Sequence, residues 1–334
     1  MELTSSQKKL LLLLSDGRFR SGSFLAGKLG ISRTGVWKHI NNLSELGLEI
    51  HAVSGRGYKL ERSLELLDEG AIRSSLKADV RARIGAFSVH DRIDSTNRFL
   101  SDRSTDAGPN GAICLAESQT AGKGRNGRSW ISPFGNNIYL SLAWQYPGGP
   151  ASLSGLSLAV GVAVVRALAA SGIDGLGLKW PNDILWEGKK LGGILIEVSG
   201  EVQGPCTVVI GLGLNYKMSK GQGEAIDQDW IDLETISPES KPGRNHLAAA
   251  LINEILPAVS QFDRTGLAPF LAEWRASDCM RGKEVVLNMG KQVIAGTVAG
   301  ISDEGLIQLY TSKRKFCSFA SGEVSFRRGS ARAG

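Results

Sequence analysis

Apolar residues recur at helical spacing along the first 46 residues of the chain. A run of five leucines predicts a first helix over residues 7–16, and Ser23 is placed to cap a second, shorter helix. Gly30 predicts a tight turn. Ser32 then caps a third helix that reaches about Leu46 and has one continuous apolar face. The spacing therefore predicts three helices, with a glycine turn between the last two.

Beyond residue 46 the pattern changes to alternation. Segments 49–53 and 58–60 predict two short strands, joined by the tip at 54–57. Three helices followed by a basic hairpin are typical of a winged helix-turn-helix, whose second motif helix enters the major groove of DNA. A protein-interaction module of the same fold is the alternative.

The middle of the chain reads as strands alternating with helices. One helix of small apolar residues spans 160–170. The strand-like segments are 86–89, 112–117, 137–144, 177–179, 191–197 and 207–215. This order predicts a central mixed α/β sheet domain.

After Trp274 the chain contains only short strands and turns. The predicted strands are 283–287, 292–298, 306–310 and 316–320. They indicate a small SH3-like β-barrel and, for the whole chain, an α+β fold class. We predict domains at 1–63, 64–273 and 274–328, with 61–76 as the connecting stretch.

Composition restricts the class of protein. Hydrophobic residues make up 42% and charged residues 22%, as in soluble globular proteins. We find no apolar run near the ~20 residues that a membrane span needs. The leading leucines are too few for a signal peptide. The four cysteines are widely scattered, which argues against a disulfide framework or a structural zinc site and favours the cytoplasm.

Positive charge is concentrated at the N-terminus. Residues 1–60 hold nine Lys and Arg against four Asp and Glu, out of a net +6 for the whole chain. This asymmetry fits a nucleic-acid-binding module, although charge alone also describes a solvated basic surface. For the helix and the hairpin we expect phosphate contacts from Arg33, Lys38 and Arg56, and base contacts from Thr34 and Asn41. Trp37 is an unusual base reader, and we expect it to pack against the wing.

The segment 121–130 (AGKGRNGRSW) nearly matches a phosphate-binding P-loop. A P-loop must pass from a strand into a helix, because the helix N-terminus helps to hold the phosphates. Here Pro133, Gly135 and the alternating segment 137–144 follow instead. The sequence therefore predicts a loop between two strands, in which glycines let backbone amides approach an anion and cations neutralise it. A solvated basic hairpin explains the charges but not the glycines or Trp130.

Three further polar clusters follow or precede strands. Lys179, Asn182, Asp183 and Lys190 surround one hairpin and could form a phosphate and Mg²⁺ site, though a hairpin with a charged tip explains them equally. Residues 94–97 (DSTN) open a helix, where capping competes with ligand binding. The strand ending at Asn215 carries glycines near its end.

In this order the segments resemble the bacterial biotin–protein ligases. The similarity covers essentially the whole chain and rests on residues 94–97, Gln119, 122–130, 179–183, 190–194 and 211–215. The winged helix further resembles the bifunctional subclass, which also represses biotin-synthesis genes. The loop departs from the family's usual run of arginines at Lys123 and Asn126.

The resemblance implies a role for each matching residue. Those implied to bind biotin are Ser95, Thr96, Asn97, Gln119, Lys123, Gly124, Arg125 and Lys190. Those implied to bind ATP or the adenylate are Gly122, Trp130, Lys179, Asn182 and Asn215, with Trp130 packing on adenine. Lys190, Arg125 and Arg128 are implied to neutralise the reacting groups, and Asp183 is the candidate Mg²⁺ ligand.

The implied reaction consumes biotin and ATP, requires Mg²⁺ and has no permanently bound cofactor. Biotinyl-5′-AMP forms first, and a lysine of a biotin carrier protein then attacks it, which requires no enzyme nucleophile. The implied partners are the carrier, operator DNA and a second copy of the chain in the adenylate-bound state, with no membrane. The alternatives are a ligand-sensing regulator without catalysis and a lipoate–protein ligase.

Overall fold

The structure of the protein is a computed structural model that describes residues 2–103, 110–201, 204–290, 292–311 and 315–326. The predicted end of the last domain, at residue 328, lies outside the described residues. Within them the chain forms a helical module with a hairpin, a central sheet with helices, and a C-terminal antiparallel sheet.

The N-terminal module contains the elements in the predicted order. They are α1 (Ser5–Leu14), α2 (Gly22–Leu29), α3 (Arg33–Ser44), β1 (Ile50–Val53) and β2 (Gly57–Leu60). Leu10, Leu11 and Leu14 of α1 are fully buried in the cluster that also holds Val36 and Ile40 of α3. The hydrophobic stripe of each helix therefore forms one shared core.

Helix boundaries in this module differ in part from those predicted. α1 begins earlier than expected, because Thr4 forms a capping box there. Ser21, and not Ser23, caps α2, since its side chain accepts the hydrogen bond from the helix N-terminus. Ser32 caps α3 and Gly30 adopts a φ of 67°, as predicted.

The central domain is built on a seven-stranded sheet. Its strands are β3 (Phe87–Ile93), β4 (Ala112–Gln119), β5 (Asn137–Tyr146), β6 (Leu176–Lys179), β7 (Asp183–Trp186), β8 (Lys189–Gly200) and β9 (Cys206–Asn215). Their spatial order is β3-β4-β5-β9-β8-β7-β6. The pair β3–β4 is parallel and the other neighbouring pairs are antiparallel, so the sheet is mixed as predicted.

Helices cover this sheet. They are α4 (Glu69–Ser74), α5 (Ala78–Arg81), α6 (Thr96–Ser101), α7 (Leu156–Ala170), α8 (Lys220–Gly223), α9 (Leu233–Ile236), α10 (Arg244–Thr265) and α11 (Leu271–Ala276). α7 packs against α10 and β8. The segment 150–170 is long and apolar enough to cross a membrane, contrary to the prediction from the sequence, but 56% of an 18-residue stretch within it is buried inside this fold.

The C-terminal domain is a five-stranded antiparallel sheet. Its strands are β10 (Glu284–Met289), β11 (Gln292–Ile301), β12 (Ile307–Thr311), β13 (Phe316–Phe319) and β14 (Glu323–Phe326). Four were predicted, and β14 was missed. β14 pairs with β10 and brings Glu323 toward the central domain.

A buried ion pair and its hydrogen bonds fix the connection between the first two domains. Arg244 and Glu117 are 1% and 2% exposed, and their Nη1 and Oε2 atoms lie 2.9 Å apart. Arg244 also donates to the backbone oxygen of Glu65, and Glu117 accepts from the backbone N–H of Leu67. Leu67 and Ile72 are buried in the central core, so the stretch predicted as a connection is largely part of the central domain.

Central-domain residues also contact the N-terminal module directly. Phe134, which follows the glycine-rich loop, is 3% exposed and belongs to the apolar cluster of that module, next to Leu64. On β3, Asp91 accepts from the backbone N–H of Leu3 at 2.7 Å and lies 3.0 Å from Nζ of Lys8. The N-terminal module is thus joined both to the segment after the glycine-rich loop and to β3, the strand that precedes residues 94–97.

Candidate functional site

A cavity of about 280 Å³ lies where the central sheet meets the loop 121–130 and β14. Every residue predicted to bind a small molecule lines it, apart from Gly122. Gly122 is packed in the stem of the loop, where a Cβ would lie 2.7 Å from the backbone oxygen of Trp130. The predicted segments, far apart in the chain, therefore converge on one site.

One end of the cavity is a buried polar network. Ser95 caps α6, and the backbone N–H and hydroxyl of Thr96 donate to Oε1 of Gln119 at 2.9 and 3.1 Å. Asn97 donates to Glu197 at 2.7 Å, and its Oδ1 lies 2.6 Å from the hydroxyl of Ser141. Such a network presents fixed donors and acceptors to a neutral polar ring. Glu197 and Ser141 could not be identified from the sequence, because their strands are defined only by apolar alternation.

The other end is strongly cationic. Nζ of Lys190 lies 2.9 Å from Oδ1 of Asp183, and Nζ of Lys179 lies 3.6 Å from Oδ2. Nη1 of Arg125 donates to Oδ1 of Asn182 at 3.3 Å. Burial lowers the pKa of the Arg125 guanidinium from its ordinary value, and nearby Asp183 opposes this shift. Three cations around one carboxylate leave an excess of positive charge that suits a phosphate group.

The loop itself is not a P-loop. Residues 125–127 form a single 3-10 turn, with Asn126 at a φ of 56°, and the chain then continues through 131–136 into β5. The backbone N–H of Gly124 donates to the backbone oxygen of Arg128 at 2.7 Å, which closes the turn. The loop therefore connects two strands, as predicted, and covers the cavity with its basic residues.

Trp130 lies on a floor made by two glycines. A Cβ on Gly213 would lie 2.4 Å from the indole, and one on Gly193 would lie 3.4 Å from it. The indole Nε1 is buried and has no hydrogen-bond partner among the described residues. Its position beside Lys190 gives the cavity one aromatic wall.

Asn215 is buried beneath the cavity at 4% exposure. Its amide donates to the backbone oxygens of Ile231 and Lys190, at 3.1 and 3.3 Å. These bonds tie the segment 225–231 to the sheet, and this segment contributes Trp230 to the cavity wall. Sequence reasoning found Asn215 but missed the segment that it holds, which lacks periodicity.

The predicted DNA-binding residues share one surface. Arg33, Thr34, Lys38 and Asn41 are exposed on α3, opposite its buried face, and Arg56 is exposed at the tip of the hairpin, over the Phe19 ring. Basic and amide side chains on a recognition helix can contact phosphates and base edges.

Trp37 was predicted to pack against the wing, but its side chain is largely open to solvent. Its side chain is 53% exposed and lines a groove between α3 and the hairpin, opposite Val53. It is one of the large apolar side chains that the described part of the module leaves open to solvent, together with Leu12 and Phe24.

Family models match three parts of the chain. They are an HTH domain at residues 6–59, the biotin/lipoate A/B protein ligase family at 89–215 and the biotin protein ligase C-terminal domain at 282–327. Among solved structures, the biotin protein ligase from Aquifex aeolicus in complex with biotin and ATP has a TM-score of 0.62 at 26% identity. That match covers 73% of this chain and 99% of the other.

Curated relatives extend the similarity over nearly the full length. The bifunctional ligase/repressor BirA of Salmonella typhimurium is 38% identical over 98% of this chain and 99% of its own length. The protein of the same name from Bacillus subtilis is 33% identical over 92% and 94%. The chain therefore belongs to the bifunctional ligase/repressor family of biotin protein ligases.

Proposed function

We propose that the chain activates biotin with ATP, transfers it to a lysine of a biotin carrier protein, and represses transcription when it holds the adenylate. The observation that carries the catalytic part is the polarity of the cavity. A hydrogen-bonding network without cations, in which Asn97 donates to the Glu197 carboxylate, lies at one end and three cations lie at the other, with a basic loop above. Biotin has the matching polarity, since a ureido ring and a carboxylate stand at its two ends.

In the first step a biotin carboxylate oxygen attacks the α-phosphorus of ATP and pyrophosphate leaves. The residues at 95–97 and Gln119 hold the ureido ring, which directs the carboxylate toward Lys190. Lys190, Arg125 and Lys179 neutralise charge that accumulates on the phosphate oxygens. The product is the mixed anhydride biotinyl-5′-AMP.

In the second step the ε-amine of the carrier lysine attacks the anhydride carbonyl and AMP leaves. Water competes with that amine, so the site must exclude it. The loop 121–130 covers the cavity, and Trp130 stacks on the adenine. The residues supply alignment, charge and exclusion of water, and no enzyme nucleophile is required.

Mg²⁺ enters this proposal with ATP, whose phosphate charge it helps to neutralise. Among the described residues, no group of three or more His, Cys, Asp or Glu could hold a metal. Mg²⁺ commonly takes one or two carboxylates together with substrate phosphates and water, so Asp183, which lies beside the cations, fits as a protein ligand. Asp183 also pairs with Lys179 and Lys190 and holds both toward the cavity.

A direct assay tests the ligase activity. The protein is incubated with ATP, Mg²⁺, biotin and a biotin carrier domain, and the product is probed with streptavidin. Absence of product would refute the catalytic part and favour a ligand-sensing regulator. A parallel reaction with lipoate and a lipoyl domain distinguishes the lipoate–protein ligase, which would transfer lipoate and not biotin.

Gly211→Ala is expected to weaken biotin binding. A Cβ at this position would lie 2.3 Å from Oδ1 of Asn97, a side chain fixed by Glu197 and Ser141. Overpacking of a fixed group costs about 1–3 kcal/mol, so the KM for biotin should rise on the order of tenfold. Gly221→Ala is the control, because a Cβ there meets nothing within 4 Å. An unchanged KM for biotin in Gly211→Ala would show that this network is not part of the biotin site.

The repressor part places two winged helices on a two-fold operator, since adenylate binding favours a homodimer. Sedimentation with biotin and ATP tests this, and absence of a shift toward dimer would contradict it. The reaction is assigned to the cytoplasm, in keeping with four free cysteines.

Trp37→Ala is expected to weaken operator binding about tenfold without changing ligase activity. The exposed indole lines the groove beside the recognition helix, where DNA would bury it. Binding is measured by fluorescence anisotropy on a duplex selected by the protein from a random library, with biotin and ATP present. Leu12→Ala removes a side chain of 59% exposure from α1 and should leave binding unchanged.

The salt dependence of operator binding distinguishes contacts with phosphates from apolar contacts. Lys38→Gln should reduce the slope of log K against log salt by about 1, whereas Trp37→Ala should leave that slope unchanged. Operator binding at the wild-type level in Trp37→Ala would show that DNA does not enter this groove.

A further inference from the structure

The loop 121–130 makes a second set of contacts, with the C-terminal sheet. Nη2 of Arg128 lies 2.5 Å from Oε1 of Glu323, and Nδ2 of Asn126 donates to Oε2 of the same carboxylate at 3.3 Å. Nη2 of Arg125 donates to the backbone oxygen of Gly322 at 3.3 Å. Both carboxylate oxygens of Glu323 are therefore engaged by the turn at the tip of the loop.

The polar residues of this turn face two directions. Arg125 extends into the cavity, where it donates to Asn182 near Asp183. Asn126 and Arg128 contact β14. The turn thus attaches the loop to another domain, while Arg125 and Arg128 also line the cavity.

The backbone at Asn126 favours this attachment. Its φ of 56° lies in the left-handed region, which asparagine adopts more readily than most side chains. Here the family's usual run of arginines is interrupted, and the amide that replaces the guanidinium reaches Glu323. The departure at Asn126 therefore has a structural reason in this chain.

We propose that Glu323 is a positioning residue, which holds the loop closed over the adenylate through Asn126 and Arg128. The role rests on the proposed ligase function. Glu323 does not touch the reacting atoms in this assignment. It fixes the turn, so that Arg125 stays on the phosphate and the anhydride stays out of water. The C-terminal domain thereby controls how long the intermediate is retained.

The expected effect is on retention and not on chemistry. The side chains of Arg128 and Glu323 are 43% and 34% exposed, and ion pairs of that exposure are weak. Loss of the contact should raise the rate of adenylate release about two- to fivefold, while the rate of adenylate formation changes less than about twofold. A residue with only a structural role would not separate these two rates.

The test is a double-mutant cycle with Asn126→Gly and Glu323→Gln. Glycine keeps the positive φ and removes the amide, and glutamine keeps the shape and removes the charge. Labelled adenylate is formed on the full-length protein from biotin and ATP, and its release is followed by rapid filtration.

Trypsin cleavage after Lys123, Arg125 or Arg128 in the ligand-free protein reports the contact independently of chemistry. Glu304→Gln is the matched control, an exposed carboxylate of the same domain.

Each single variant should release the adenylate faster and expose the loop to trypsin. The double variant should fall short of the product of the single effects, because Asn126 and Glu323 are partners in the same contact. The proposed role of Glu323 would be wrong if the single variants released the adenylate at the wild-type rate, or if their effects on that rate multiplied strictly. The ligase function would be unaffected by either result. Absence of adenylate on the wild-type protein would instead overturn the ligase function, and this role with it.

Discussion

Lys190→Met is expected to lower the rate of adenylate formation by a factor of about 10²–10³, the range found when one group that stabilises transition-state charge is removed. Methionine keeps the apolar stem of the side chain and removes the ammonium that lies 2.9 Å from Asp183. The backbone should not move, because the N–H and C=O of Lys190 pair with Asp229 and Ile231. Asp183 keeps Lys179 as a partner, so no carboxylate is left wholly unpaired.

The measurement is pyrophosphate release in a single turnover with saturating biotin and ATP. Lys189→Met is the matched control, since the neighbouring lysine is exposed and should tolerate the same change. Supplying synthetic biotinyl-5′-AMP separates the half-reactions, and transfer to the carrier should be affected less than adenylate formation. Equal rates for Lys190→Met and wild type would exclude Lys190 from the reacting centre.

Arg244→Met is expected to destabilise the protein by about 3–5 kcal/mol, the usual result of removing one partner of a buried ion pair. The Glu117 carboxylate, at 2% exposure, would lose its charged partner. The backbone oxygens of Glu65 and Asn137 would also lose their donor. Urea denaturation followed by tryptophan fluorescence measures the loss.

Two comparisons isolate the cause of that loss. The double variant Arg244→Met with Glu117→Gln should recover part of the stability, because the remaining buried group is then neutral. Arg166→Met removes an arginine whose bidentate pair with Glu273 is partly exposed, at 35% and 49%, and should cost about 1 kcal/mol. If Arg244→Met cost no more than Arg166→Met, the buried pair would have no special role in stability.

Local patterns in the sequence predicted the N-terminal module and most of the central strands, because periodicity and caps act within a few residues. Ser32 caps α3 and Gly30 adopts a positive φ, as serine and glycine commonly do at such positions. The site residues were found through their order in the chain and their resemblance to a known family. The structure brings nearly all of them to one cavity, although the role of each stays a prediction.

Contacts between distant segments could not be predicted in this way. Glu323 lies 197 residues from Asn126, and Arg244 lies 127 residues from Glu117. Neither pair leaves a local signature, since each residue looks like an ordinary charged side chain on its own element. β14 was missed for a related reason, because its pairing with the distant strand β10 defines it.

The position of Phe134 has a thermodynamic consequence. This residue ends the segment that begins at the loop over the cavity, and its ring is buried in the core of the DNA-binding module. A ligand whose binding moved Phe134 would change the packing of the N-terminal module. Because linkage is reciprocal, an operator that favoured the same arrangement of this cluster would then change adenylate binding by the factor by which the adenylate changes operator binding.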